Sequence, residues 1–247
     1  MILKKWDKLP SEMQTAEVRK YYDILKKKTV SLILKRVFDI VVSFLMLVIL
    51  LPVFLILSIA IKVDSKGPVF YRQLRVTQYN KHFRIFKFRT MVQDADKGSH
   101  VTVNNDSRIT KVGNLIRKCR LDEISQLIDV LRGTMTFVGT RPESVKYVEK
   151  YSPEMMATLL LPAGITSEAS ILYKDEDRLL DDAEDVEKTY IEKVLPAKMK
   201  YNLYSIEHFS FFKDVATMFR TVFAVLGKEY SGSIVEEDSY VEEKETV

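Results

Sequence analysis

Hydrophobic positions gather into one unbroken block, from Ile40 to Ile61, and elsewhere recur at the spacing of amphipathic elements. The block runs for about 22 residues without a charge and carries Pro52 at its middle. That just reaches the ~20 apolar residues a membrane-spanning helix needs. The proline removes a backbone donor and bends a helix where it sits. Lys35, Arg36 and Asp39 precede the block, and Lys62, Asp64 and Lys66 follow it, so both flanks are charged. No second run of comparable length follows. The pattern predicts one hydrophobic element holding one catalytic or binding domain on a membrane.

Beyond the block the period changes. Gly67-Pro68 marks a turn, and Val69–Arg75 and His82–Arg89 alternate aromatic with basic residues. That alternation predicts two strands and, with Tyr79-Asn80 between them, a β-hairpin. Leu121, Ile124, Leu127, Ile128 and Leu131 then recur at helical spacing, and Gly133 can end that helix. Phe209, Phe212, Val215, Phe219, Val222 and Leu226 form a later apolar stripe. A core is the default partner for such a stripe, and a membrane surface is the alternative. Gly133–Glu143 and Leu161–Ser167 read as tight turns, the first carrying Arg141, the second carrying Gly164 where backbone could approach a ligand. Four parts result: a polar, helical extension over 1–34, the membrane element over 35–62, the main domain over 63–227, and an acidic, disordered tail over 228–247.

Charge sharpens this picture. The net charge is only +4, but residues 1–36 hold ten Lys or Arg against four acids. Basic residues just before a hydrophobic segment favour the cytoplasmic side and anionic lipid. The lone Cys119 allows no internal disulfide, and is expected to behave as a small buried hydrophobe. His82, His100 and His208 lack metal-ligand spacing, so no zinc or iron site is expected.

The densest chemistry is Arg117-Lys118-Cys119-Arg120-Leu121-Asp122-Glu123, three bases and two acids at a predicted helix start. A helix N-terminus attracts anions, and arginines add bidentate phosphate donors. A carboxylate there is expected to have a low pKa, and beside bound phosphate it could attack phosphorus. Its neighbour could hold Mg²⁺. An Asp at a helix cap is equally an ordinary structural choice, so spacing alone leaves both readings open.

The order of these pieces is diagnostic. Lys35-Arg36-x-x-Asp39, the apolar run around Pro52, Gly67–Gln73, Phe86-Lys87-Phe88-Arg89-Thr90-Met91, Asp106-x-Arg108-Ile109-Thr110, Leu121-Asp122-Glu123-x-x-Gln126-Leu127 and Phe137–Pro142 follow one another. Together they resemble the bacterial sugar transferase family, the small monotopic phosphoglycosyl transferases, over roughly residues 35–225. The resemblance implies an α+β, mainly helical fold: a re-entrant membrane helix, then a cytosolic catalytic domain with a small β-hairpin and amphipathic interfacial helices. It implies transfer of a sugar-1-phosphate from a UDP-sugar to a polyprenol (undecaprenyl) phosphate, with loss of UMP, at the cytoplasmic face of a bacterial membrane. By similarity Asp122 is the nucleophile and Glu123 places Mg²⁺. Arg117 holds phosphate oxygens, Arg141 serves the uridine end, Lys87 and Arg89 line the polar site, and Arg36 and Asp39 belong to the membrane lead-in. A re-entrant bend at Pro52 would need protein packed around it to satisfy its backbone. Membrane lipid and downstream glycosyltransferases are the implied partners, and nucleic acid is not. Ser125, Thr140, Ser167, Thr77, Asn80 and Asn202 depart from the usual family pattern. Two alternatives remain: a non-catalytic scaffold for glycan assembly, or a full span that puts residues 1–34 outside the cell.

Overall fold

The computed structural model of the chain describes residues 2–93, 108–173 and 185–225. The expected acidic tail, Leu226, His100 and Asp106 lie outside these residues. The elements in chain order are α1 (Ala16–Lys26), α2 (Thr29–Ile49), α3 (Leu51–Asp64), β1 (Phe70–Thr77), β2 (Lys81–Phe88), α4 (Lys111–Lys118), α5 (Leu127–Arg132), β3 (Met135–Val138) and α6 (Val145–Val148). They continue with β4 (Ala163–Thr166), α7 (Glu168–Leu172), α8 (Val186–Thr189), α9 (Leu195–Glu207) and α10 (Phe211–Val225). The described chain is mainly helical with a small β-hairpin.

Residues before α2 are not a detached extension. The Thr15 hydroxyl accepts the Val18 N–H and caps α1, satisfying one of its orphan donors. Val18, Tyr21, Tyr22 and Leu25 then fall on one buried face of α1, against Ala157, Leu160, Leu203 and Ile206. Lys4 N–H bonds the Tyr79 hydroxyl, and Asn80 donates its amide to Glu12, so the same segment fastens the hairpin tip. The high charge of this stretch hides a stripe of apolar residues at helical spacing.

α2 and α3 form one apolar pair bent by 61°. Neither is long and apolar enough to cross a membrane alone, but together they pass that test. Pro52 falls in the first turn of α3, where a missing N–H costs nothing. Leu50 N–H still reaches the Met46 carbonyl at 2.8 Å and Phe54 N–H reaches Leu50 at 2.9 Å. The expected packing of protein around Pro52 is therefore absent, and Pro52 is exposed. The bend keeps its backbone groups bonded within the helices and needs no outside partner.

Polar residues near the start of α2 bolt it to the domain. Lys35 Nζ donates to the Val138 carbonyl at 2.7 Å and pairs with Asp214 of α10 at 2.6 Å. Asp39 accepts from Thr136 Oγ1 at 2.7 Å and from Phe137 N–H at 3.2 Å. Arg36 donates to the carbonyls of Val130 and Leu131 at 2.7 and 2.9 Å, orphan acceptors at the end of α5. The opposite side of the pair is apolar and exposed, through Val37, Phe44, Val48, Leu55 and Ile59.

β1 and β2 form the predicted antiparallel hairpin, Tyr71 opposite Lys87 and Arg75 opposite Phe83. The stretches read as turns around 135 and 163 instead contain β3 and β4, a short parallel pair. Four-residue strands flanked by glycines carry no alternation long enough to read. The expected role of Gly164 is corrected: a Cβ there would lie 2.2 Å from the Gly139 nitrogen, so the close approach it permits is strand to strand. The late apolar stripe divides: Phe209 is buried in the main core and Val215 is half-buried. Phe212, Phe219 and Val222 are exposed along α10, beside exposed Phe223. Contiguous exposed apolar surface of this kind marks an interaction site.

Candidate active site

Asp122 and Glu123 sit in a 3₁₀ turn, Leu121–Gln126, wedged between α4 and α5. The apolar positions expected on one helix are thus shared by this turn and α5, which Gly133 ends with φ 84°. Arg120, at φ 54°, makes the corner out of α4. β2 anchors the turn: Ser125 Oγ donates to the Phe86 carbonyl at 3.1 Å, and Phe86 N–H donates to Asp129 Oδ2 at 2.8 Å. Held this way, the two acids face Lys87, the next residue of β2.

Lys87 Nζ lies 2.9 Å from Glu123 Oε1, and Arg141 Nη2 lies 2.6 Å from the same oxygen. Arg141 Nη1 also donates to Glu123 Oε2 at 3.4 Å. Burial pushes the Glu123 carboxyl up, but Arg141 and Lys87 outweigh it and hold it well below the usual carboxylate range. Asp122 moves the other way. Burial first, and then the Glu123 charge, raise its pKa, with Lys87 and Arg117 opposing in part. The low pKa expected for Asp122 is corrected: a six-residue 3₁₀ turn supplies little dipole, and burial wins. Two neighbouring carboxyls driven apart in pKa are a mark of a chemical site.

Arg117 stands in the last turn of α4, half-buried. Among the described residues no hydrogen bond or ion pair engages its side chain. Arg89 does not join this group. Its guanidinium donates to the carbonyls of Lys66 and Ser65 at 2.7 and 2.8 Å, closing the end of α3. The active-site lining expected of Arg89 is therefore replaced by a helix cap. Cys119 is exposed, not the buried hydrophobe expected. A cavity of about 180 Å³ lies elsewhere, between α7, α9 and α10, and neither Asp122 nor Glu123 lines it.

Among the described residues no group of three or more His, Cys, Asp or Glu could hold a metal ion. Both Glu123 oxygens are already engaged by Arg141 and Lys87. A Mg²⁺ placed by Glu123 would have to share its oxygens with Arg141 and Lys87, and Mg²⁺ commonly needs only one or two carboxylates besides substrate phosphates.

The profile of bacterial sugar transferases matches residues 30–228. The chain belongs to the bacterial sugar transferase family. It is 33% identical over 197 residues to a UDP-N-acetylgalactosamine-undecaprenyl-phosphate N-acetylgalactosaminephosphotransferase of Aeromonas hydrophila, covering 78% of this chain and 44% of that protein. It is 36% identical over 200 residues to a UDP-glucose:undecaprenyl-phosphate glucose-1-phosphate transferase of Klebsiella pneumoniae, covering 78% and 40%. It is 34% identical over 209 residues to the exopolysaccharide production protein PSS of Rhizobium leguminosarum bv. phaseoli, covering 79% and 96%. The chain thus spans less than half the length of the first two relatives.

Positions where this family member departs from the usual pattern carry structural work. Ser125 grips β2, as above. Thr77 Oγ1 donates to the Thr134 carbonyl at 2.7 Å and accepts Ala163 N–H at 3.1 Å, joining the hairpin to both short strands. The Thr140 carbonyl accepts Gly164 N–H at 2.9 Å, Ser167 caps α7, and Asn202 is buried on α9. Asn80 takes up φ 55° in the hairpin turn, where asparagine is tolerated. The sequence marks Lys35 within the Lys35-Arg36-x-x-Asp39 motif but not its buried ion pair with Asp214, and marks Arg75 only as one basic residue of a strand. Strand alternation could have found Arg75, because it shares a face with Lys87.

Proposed function

We propose that the chain is a phosphoglycosyl transferase that moves a sugar-1-phosphate from a UDP-sugar to undecaprenyl phosphate or a similar polyprenol phosphate. Asp122, as the carboxylate, attacks the sugar-bearing phosphorus. The new O–P bond forms as the bond to the bridging oxygen breaks, and UMP leaves with that oxygen. A phosphate oxygen of the polyprenol then attacks the aspartyl phosphate, restoring the carboxylate and giving a lipid-linked diphosphosugar, the substrate for further glycosyltransferases. The observation that carries this reading is the split pair: Asp122 raised by burial beside a Glu123 held ionised by Arg141 and Lys87. A raised pKa makes the carboxylate the more nucleophilic of the two. Lys87, Arg141 and Arg117 supply fixed positive charge for an anionic transition state. Mg²⁺ carried on the donor diphosphate, with Glu123 helping to place it, would offset phosphate charge.

Membrane association belongs to the same proposal. A lipid acceptor puts the reaction at headgroup depth, and exposed apolar faces on α2, α3 and α10 suit that level. Both ends of the bent pair pack on one body. Lys35 and Asp39 hold β3 and α10, while Ile61 packs with Phe88 and Ile116. That favours a re-entrant element over a full span, with residues 1–34 beside the catalytic body. The basic residues before α2 then select the cytoplasmic face.

UMP release from a panel of UDP-sugars, with undecaprenyl phosphate in detergent or lipid, tests the proposal. Release with at least one sugar is expected. No release from any of them would leave a scaffold without chemistry.

The pH profile adds a signed test. Asp122 must be ionised to react and its pKa is raised, so kcat/KM should fall on the acid side at a pH above the ordinary aspartate range. Lys87 pulls that pKa down, so Lys87→Met should move the acid limb of the residual activity to higher pH. An unmoved limb would separate it from Asp122.

A further inference from the structure

We propose that Arg75 is a second donor-binding arginine, which takes up the nucleotide phosphate of the UDP-sugar from the same face of the hairpin that carries Lys87. This rests on the function proposed above and extends it to one residue.

Strand register places the group. Side chains on a strand alternate between faces, and directly paired residues share a face. Tyr71, Gln73 and Arg75 pair with Lys87, Ile85 and Phe83, so all six side chains emerge on one side. Lys87 is already at Glu123. Arg75 lies four residues along the ladder from Tyr71, roughly 13 Å at strand spacing. The nucleotide phosphate is only one bridging oxygen from the reacting phosphorus, so contact needs the Arg75 guanidinium to reach back along the face towards Arg141, whose charge it already feels and which sits at Glu123.

The bonding of Arg75 leaves it short of an anion. Its Nη2 donates to Gln73 Oε1 at 2.8 Å, and among the described residues this neutral amide is its hydrogen-bond partner, with no carboxylate in ion-pair range. A guanidinium carries five donors in a planar fork suited to phosphate. The nearest acid is committed elsewhere. Val76 N–H holds the Glu143 backbone beside β1 at 3.0 Å, but Glu143 Oε1 accepts from the Tyr190 hydroxyl at 2.7 Å and lies 3.9 Å from Lys198 Nζ. Arg141, two residues before Glu143, turns to Glu123 instead. Burial lowers the pKa of Arg75, Glu143 opposes this, and Arg141 lowers it further. Two guanidinium groups beside one strip, one of them half-buried without a carboxylate of its own, hold charge that a bound phosphate would compensate.

Isothermal titration of UMP into the full chain tests this without any turnover. Arg75→Ala and Arg75→Gln should weaken UMP binding by about 10- to 100-fold, the range of one lost charge-assisted contact. Arg75→Lys should recover part of it, having the charge without the fork. In turnover the same variants should raise KM for the UDP-sugar far more than they lower kcat. UMP affinity within twofold of the unaltered chain, or a fall in kcat with KM unchanged, would overturn the assignment. If the variants fail to fold, the unaltered chain decides: UMP should protect Arg75 from phenylglyoxal, and equal modification with and without UMP would overturn it. Should no UDP-sugar be turned over, the proposed reaction falls while the UMP titration still judges Arg75; no UMP binding by the unaltered chain would sink Arg75 as well.

Discussion

Asp122→Asn should lower UMP release by roughly 10⁶-fold, the loss seen when an enzyme gives up its nucleophile, and should at the same time raise the melting temperature at pH 7. The two results come from one cause. Burial and the Glu123 charge raise the Asp122 pKa in the folded chain. A group whose folded pKa is raised stabilises the fold only while protonated, below its unfolded pKa, and that contribution is lost as pH rises through the folded value. At pH 7 the ionised Asp122 therefore destabilises the chain that needs it. Asparagine keeps the shape, removes the charge and removes this cost, and the gain should shrink as pH falls into the carboxylate range. Calorimetry across pH measures the stability arm. Mass spectrometry of rapidly quenched protein, given UDP-sugar without acceptor, measures the other: a phosphosugar adduct on the unaltered chain and none on the variant. Near-normal turnover by a well-folded Asp122→Asn variant would end the covalent mechanism.

How much of this could be read from the chain depends on how local the signal is. The hairpin was legible because aromatic and basic residues alternate over eight residues on each arm. The bent apolar pair was legible because one proline interrupts a run with no charge. Lys87, Glu123 and Arg141 were marked by motif order, and the structure brings their side chains together. What stayed hidden was set by tertiary packing. Arg89 lies one residue beyond β2 and two beyond Lys87, yet the end of α3 claims it. The pKa of Asp122 turns on burial, which no spacing reports. The role of residues 1–34 turns on which face of α1 meets α9 and the turn Met155–Leu160, and its lysines obscure that face. β3 and β4 are too short for a period, and only their pairing defines them.

Lys35→Ala should cost roughly 3–5 kcal/mol, the penalty for breaking a buried ion pair from one side. That corresponds to a fall in melting temperature of roughly 6–20 °C for a chain of this size. Lys35 is 3% exposed and its partner Asp214 19% exposed, so the Lys35 charge has no water to fall back on and the Asp214 charge has little. The loss is compound, because the same ammonium also satisfies the Val138 carbonyl. Without it Asp214, whose pKa burial already raises, loses the cation that opposes the shift and is driven further towards its neutral form. Replacing both partners by apolar residues, as in Lys35→Met with Asp214→Leu, should recover much of the stability, since a pair removed whole leaves no uncompensated charge. Activity should not return in step. Val138 is the last residue of β3, and Gly139 and Thr140 lead from it to Arg141, so this contact ties α2 to the arginine that holds Glu123. Hydrogen exchange at the start of α2 and UMP release separate the two effects. A Lys35→Ala chain as stable as the original would mean that apolar contacts such as Phe38 against Phe137, at 6.1 Å between rings, hold α2 to the domain unaided.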